Sequence, residues 1–341
     1  MTLSINTELP SLAQLPKAFI IQLNDFSAIS LNGEEQSKYL QGQVTCDVDS
    51  STEHSLHIGA HCDAKGKVFS VFRLINRAMN QTTAQDYSHL LLQPKATIES
   101  SIKELKKFGV FAKVTIEETK QLSFYALVGE HATSQLQNLL AELSSEEKAQ
   151  LPDSLSPVVQ VGSTTLVYIS GQQERYLLID DTDKLTQIVA QLSLPVYQQD
   201  VWRLLEIDQG FPSLCNASSG QYVPQMLNLQ AINGISFTKG CYLGQETVAR
   251  MQYLGKNKRA LFSLSAQLEQ PLGDEDIIEK QLGENWRKAG DILASYQADD
   301  GSCVIQAVLS NDEQPNLRIK SQSDSTVTVV DLPYSLTNKT D

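Results

Sequence analysis

The chain of 341 residues contains no run of eighteen apolar residues, so no segment reads as a membrane-spanning helix. Its first twenty residues carry one base, Lys17, and no continuous apolar stretch, which argues against a secretory leader and for a cytoplasmic protein. Cysteine is sparse: Cys46, Cys62, Cys215, Cys241 and Cys303 are widely spaced, odd in number, and without a C-x-x-C pair. That pattern speaks against a disulfide framework and against a self-contained zinc or iron–sulfur site, so no resident metal is expected. Positive charge is also short. The formal net charge is −13, which repels a phosphate backbone and leaves no DNA-binding surface to expect. The G-x-G-x-x-G, Walker, H-E-x-x-H and G-x-S-x-G patterns are all missing.

What is present is a globular composition, 41% hydrophobic and 20% charged, over a length that implies two or three compact units. Residues 18–33 read as two short strands around an Asn24-Asp25 turn, and 34–42 as a helix stopped by Gly42. Residues 55–61 and 67–76 are β-rich and flank a turn at Gly66. ATIESSIKELKK (96–107) sets Ile98, Ile102 and Leu105 on one helical face, and 108–116 reads as a strand. Strands at 122–129, 164–170 and 175–180 alternate with helical stretches at 131–150, 183–192 and 201–210. Hairpins joined to helices give an α+β class. From about residue 260 short strands and turns predict a small antiparallel barrel, which divides the chain into residues 1–255 and 256–341. The tail after Tyr334 reads as frayed.

The most informative stretch is FTKGCYLGQETVARMQYLGKNKRA, residues 237–260. Gly240 and Gly244 bracket Cys241 and permit tight turns, and GQETVARMQYL starts a helix. A thiol near a helix N-terminus and beside Lys239 is placed to be acidified, since both favour the thiolate. The same segment sets Lys239, Arg250, Lys256, Lys258 and Arg259 against one acid, Glu246, a basic strip on an acidic body that suits an anionic ligand. The remaining candidates are weaker. His61-Cys62-Asp63 alternate in direction along a strand and do not converge on an ion. His54 and His57 read as surface, and Glu206 and Asp208, two apart on a helix, do not face each other.

Lys239-Gly240-Cys241-Tyr242-Leu243-Gly244-Gln245-Glu246 matches the K-G-C-Y-x-G-Q-E signature of the YgfZ family of folate-binding, tRNA-modifying proteins. These are relatives of the glycine cleavage T-protein, an aminomethyltransferase, and of Iba-type iron–sulfur assembly factors. QGQVTCDV (41–48), AHCDAKGKVFS (60–70), ELKKFGVFAKVTI (104–116), SGQYVPQMLNLQAINGISF (219–237), GENWRKAG (283–290) and LPYSL (332–336) resemble further family segments in the same order.

The resemblance implies a T-protein-like fold of intertwined α+β domains with a C-terminal antiparallel β-barrel around a folate pocket. It implies a tetrahydrofolate-type cofactor and an accessory role toward iron–sulfur enzymes, including those that thiomethylate tRNA, with a link to replication initiation. Contact with tRNA itself would be indirect, and classical turnover is not expected. Cys241 would be the functional thiol. Trp202 matches one folate-associated aromatic of the family, and Phe26 stands where a second, a tryptophan, is expected, keeping an aromatic face without the indole N–H. Two other readings compete. A one-carbon transferase would need a carboxylate at the reactive folate nitrogen. A direct tRNA-binding module would lean on the basic strip against the overall charge.

Overall fold

A computed structural model gives the fold and describes residues 3–78, 87–143, 150–253, 255, 257–312 and 316–336. The weave begins early. Ala18–Gln22 pairs with Leu122–Gly129, aligning Phe19 with Val128 and Ile21 with Ala126. After the Asn24-Asp25 turn the chain enters a different sheet as Phe26–Asn32, and it returns to the first only at Leu122.

The first sheet has seven strands in the order Ile5–Asn6, Val196–Tyr197, Ala18–Gln22, Leu122–Gly129, Arg175–Asp181, Thr164–Ile169, Val158–Val161. Only the Val196–Tyr197 pairings are parallel. The second has five strands, His57–Cys62, Val68–Ala78, Tyr87–Pro94, Phe26–Asn32 and Thr115–Glu118, all antiparallel.

Period-two alternation explains how the sheets stack. Along Phe26–Asn32, Phe26 and Ala28 join Phe19, Ile21, Phe124 and Leu177 in a core between the two sheets. Ile29 and Leu31 point the other way, toward Leu40, Ile98 and Leu105 of the helices Gln36–Gln41 and Ile98–Gly109. The outer face of the seven-stranded sheet is covered by Ala132–Leu143 and Thr182–Gln191 through Leu136, Leu139, Leu185 and Ile188. Each fully buried Leu, Ile or Phe in these layers contributes about 1.5–3 kcal/mol. With both faces covered, the strands read as continuous apolar runs such as LSFYALVG.

Six strands between Arg259 and Val330 close a barrel, in the order Arg259–Gln267, Ser302–Ser310, Asn285–Gln297, Ile277–Leu282, Leu317–Ile319, Gln322–Val330. The fold is therefore the α+β weave with a C-terminal barrel that the sequence predicts. The two ends of the chain tie the barrel to the rest. Tyr296 donates its hydroxyl to the Pro10 carbonyl at 2.7 Å, and Tyr334 donates to the Gly210 carbonyl at 2.7 Å. The first fifteen residues, which carry no readable signal in the sequence, are in part this strap.

Two expectations need correction. The strand expected over 108–116 begins only at Thr115: the helix runs through Gly109, and Val110 and Phe111 form an exposed turn. Apolar residues there imitate a strand because they face solvent. His57 is not a surface residue but half-buried at the start of its strand, with its Nε2 enclosed and unpartnered. The helix over 131–150 is described as Ala132–Leu143, and residues 144–149 lie outside the described residues. So do Lys256 and 337–341, most of the tail expected to fray.

Candidate functional site

The helix Gln199–Asp208 organises the first of two sites. Gly210, at φ 62°, ends it, with the Phe211 N–H bonding back to the Glu206 carbonyl at 2.9 Å. Val201, Trp202 and Leu205 face the core between the sheets, while Leu204 and Ile207 face Tyr296 of the barrel. Glu206 follows Trp202 by one turn, so both look the same way.

Glu206 receives two guanidinium groups. Arg73 grips it with both nitrogens, at 2.8 and 3.0 Å, and Arg175 adds a third bond at 2.8 Å. The side chains of Arg73, Glu206 and Arg175 are 4%, 5% and 2% exposed. Aromatic faces complete the enclosure: Arg73 lies 3.7 Å from the Phe211 ring centroid, and Arg175 4.9 Å from that of Trp202. Burial draws Arg175 below its ordinary pKa, and the Glu206 carboxylate opposes that shift.

Beside this triad lies a cavity of about 400 Å³ with Phe26, Arg73, Trp202, Glu206, Phe211 and Cys215 in its wall. Phe26 and Trp202 meet edge to face, with centroids 6.4 Å apart. Both rings are 4% exposed, so they belong to the wall rather than projecting from it. Asp25 and Gln199 stand at the mouth, joined by a hydrogen bond from the Asp25 N–H to the Gln199 amide oxygen. A second cavity of about 770 Å³ shares Arg73 and Phe211 and adds His57, Tyr168, Arg175 and Tyr334. The structure thus brings the two aromatics singled out in the sequence into one wall.

The signature loop forms the second site. Lys239 is half-buried, and its ammonium donates to the carbonyls of Gln41, Val44 and Cys46 at 2.7, 2.9 and 2.6 Å. Burial pulls its pKa down to about 8, against the pull of nearby Asp47 and Asp49. The Leu243 N–H reaches the Gly42 carbonyl at 3.0 Å, and the Ser236 N–H reaches Thr45. Gly244 takes φ 86° against the turn of Asp63–Gly66, where a Cβ would stand 2.5 Å from the Asp63 carbonyl oxygen. QGQVTCDV, AHCDAKGK and KGCYLGQE are therefore three faces of one joint. Tyr242 is buried with its ring 5.3 Å from the Lys239 ammonium, and burial raises its hydroxyl pKa.

From this joint Gly240 and Cys241 protrude. Both are exposed, and the space a Gly240 side chain would occupy is open. Gln245 and Glu246 begin the helix Gln245–Tyr253, with Glu246 exposed. Two expectations change here. Lys239 precedes Cys241 by two residues but turns its ammonium to the 41–46 loop instead of offering it to the thiol. Arg259 likewise donates to the Val308 carbonyl at 2.8 Å, which leaves Arg250 and Lys258 as the exposed bases described in the strip. Neither cavity includes Cys241 in its lining, so thiol and aromatic pair are separate sites.

The sequence reading missed Arg73 and Arg175. The signal was present: each is a charged residue in an apolar strand run, VFSVFRLIN and RYLLID, where a lone charge implies a buried partner. Cys215 was noted only as one of five cysteines, yet it is exposed at the first cavity, 3.5 Å from the Ser218 hydroxyl.

Comparison with known proteins bears on the family and the fold. Residues 257–324 match the family model described as YgfZ, beta-barrel domain. The chain is 67% identical over 337 residues to the tRNA-modifying protein YgfZ of Colwellia psychrerythraea, covering 98% of this chain and 99% of the relative. It is 41% identical over 322 residues to that of Yersinia pestis, covering 93% and 92%. Among solved structures it resembles the glycine cleavage system aminomethyltransferase T from Bartonella henselae, with a TM-score of 0.66 at 13% identity over 93% of this chain and 86% of that one. The last likeness is one of fold.

Proposed function

The chain belongs to the YgfZ family, and from that premise we propose that it is a folate-binding accessory protein that supports iron–sulfur enzymes of tRNA modification through Cys241. The observation that carries the folate half is the edge-to-face pair of Phe26 and Trp202 in the wall of one cavity. A cavity of about 400 Å³ is the size of a small-molecule site, and its apolar wall with a few convergent polar groups suits a heteroaromatic ring. Trp202 and Phe26 would hold such a ring by stacking and edge contacts. Arg73 and Glu206 lock each other and so keep the wall rigid. A bound reduced folate would supply a one-carbon carrier.

Proton management is what this wall lacks. Glu206 has its oxygens occupied by two arginines, and Asp25 lies exposed at the mouth, so neither is a free, enclosed base. That favours an accessory role over one-carbon transfer. The second half of the proposal rests on the signature loop. A joint made of backbone contacts presents an exposed thiol with open space beside it, which suits approach by a cluster, a sulfur species or a partner's thiol. Arg250 and Lys258 give too small a footprint for tRNA on an acidic body, so tRNA is served through its modifying enzymes, in the cytoplasm. Control of replication initiation would follow from the same folate-linked role.

The test is a titration of tetrahydrofolate into the protein carrying Trp286→Phe, so that Trp202 alone reports. Saturable quenching is expected; titration calorimetry, which needs no tryptophan, should show at least tenfold weaker binding, about 1.4 kcal/mol, in Trp202→Ala. No saturation up to millimolar folate would remove the folate half. Rapid formation of a one-carbon product during the titration would replace the accessory reading by a transferase.

A further inference from the structure

The turn after the helix Ile98–Gly109 exposes three large apolar side chains in a row: Phe108 at 43%, Val110 at 72% and Phe111 at 96%. Nothing in the folate cavity or the signature loop uses them. The turn is also rigidly held. The Tyr39 hydroxyl donates to the Leu105 carbonyl, the Lys113 N–H donates to the Glu35 carboxylate at 2.9 Å, and the Glu35 N–H returns to the Lys113 carbonyl at 3.3 Å. Gly109 packs beneath it against Ile116 and Tyr39. A preformed apolar knuckle costs little ordering entropy when it inserts into a partner.

Charge selects the partner. Residues 103–113 hold Lys103, Lys106, Lys107 and Lys113 against the single acid Glu104, on a chain whose net charge is −13. Lys107 and Lys113 are engaged with Glu104 and Glu34, whereas Lys103 and Lys106 are exposed and form no ion pair among the described residues. A long polyanion such as RNA would run off this small patch onto the acidic body. A protein surface needs only a local acidic rim, and charges beyond about 8–10 Å are screened from it at physiological salt. We propose that Phe108, Val110 and Phe111 form a docking knuckle for a protein partner that offers an apolar pocket rimmed by Asp and Glu, with Lys103 and Lys106 pairing to the rim. This surface is independent of the folate reading.

The test places the photocrosslinking residue p-benzoylphenylalanine at Phe111 of the full chain in cells, and at Leu155, which is 93% exposed, as a control. A discrete protein adduct from position 111 alone is expected, with the crosslinked segment apolar and flanked by carboxylates. The purified pair should then lose at least tenfold in affinity with Phe111→Ser and with Lys103→Glu plus Lys106→Glu, while both variants melt like the wild type. The proposal is overturned by the absence of an adduct specific to position 111, or by an adduct that RNase removes. An adduct between two copies of this chain, or affinities within twofold of wild type, overturns it equally.

Discussion

Replacing Glu206 by alanine takes away the carboxylate that two enclosed guanidiniums share. Arg73 and Arg175 are 4% and 2% exposed and together lose three charge-assisted hydrogen bonds. Removing one partner of a buried ion pair costs about 3–5 kcal/mol, because a charge is left without compensation. The aromatic faces of Trp202 and Phe211 remain against the two guanidiniums, so neither charge is left without any favourable contact and the lower end of that range is expected. The comparison that isolates the ionic part is the triple variant Arg73→Met, Glu206→Leu, Arg175→Met. It leaves no unpaired charge and should recover to within about 1 kcal/mol of wild type, since apolar replacement of a whole buried triad is often neutral. Urea unfolding followed by tryptophan fluorescence and by circular dichroism reads both variants. A Glu206→Ala cost below about 1 kcal/mol, or a triple variant that loses the sum of its parts, would refute the reasoning.

Two further outcomes follow from the joint and the buried imidazoles. Gly244→Ala forces a Cβ to 2.5 Å from the Asp63 carbonyl at φ 86°, a strain of about 1–3 kcal/mol. It should lift the signature loop, so that hydrogen exchange quickens over 41–46 while folate affinity stays within twofold; unchanged exchange would contradict the joint. Burial lowers both His61 and His89 to about 4 from 6.5. Both are neutral in the folded chain and take up protons on unfolding between these values, so their contribution is complete above pH 6.5 and is lost as pH falls toward 4. Urea midpoints should decline over that window and decline less in His61→Leu, His89→Gln; an identical slope in both proteins would count against it.

Much of the architecture was legible because both sheets are buried on their two faces. Runs such as LSFYALVG and TTLVYIS have no other home than a covered strand, and the switch to short strands after residue 260 marks the barrel. Phe108–Val114 misled for a physical reason: its apolar residues face solvent, whereas pattern reading assumes that they face a core. The site was legible in its one-dimensional part, the Cys241 loop. It was not legible where it depends on distant pairing, because Arg73 and Arg175 meet on Glu206 from three separated segments. Lys239 shows the same limit. Adjacency in sequence set it beside the thiol, and folding turned it to the carbonyls of residues 41–46.

The central claim is that Cys241 is the working group of an accessory protein. It is tested most directly by tRNA thiomethylation in cells that lack this chain, complemented with the wild type or with Cys241→Ala. The side chain is exposed on a loop held by backbone contacts, so the substitution should leave folding intact. Only the wild type is expected to restore thiomethylation. Equal restoration by Cys241→Ala would contradict the claim and reduce the thiol to a bystander.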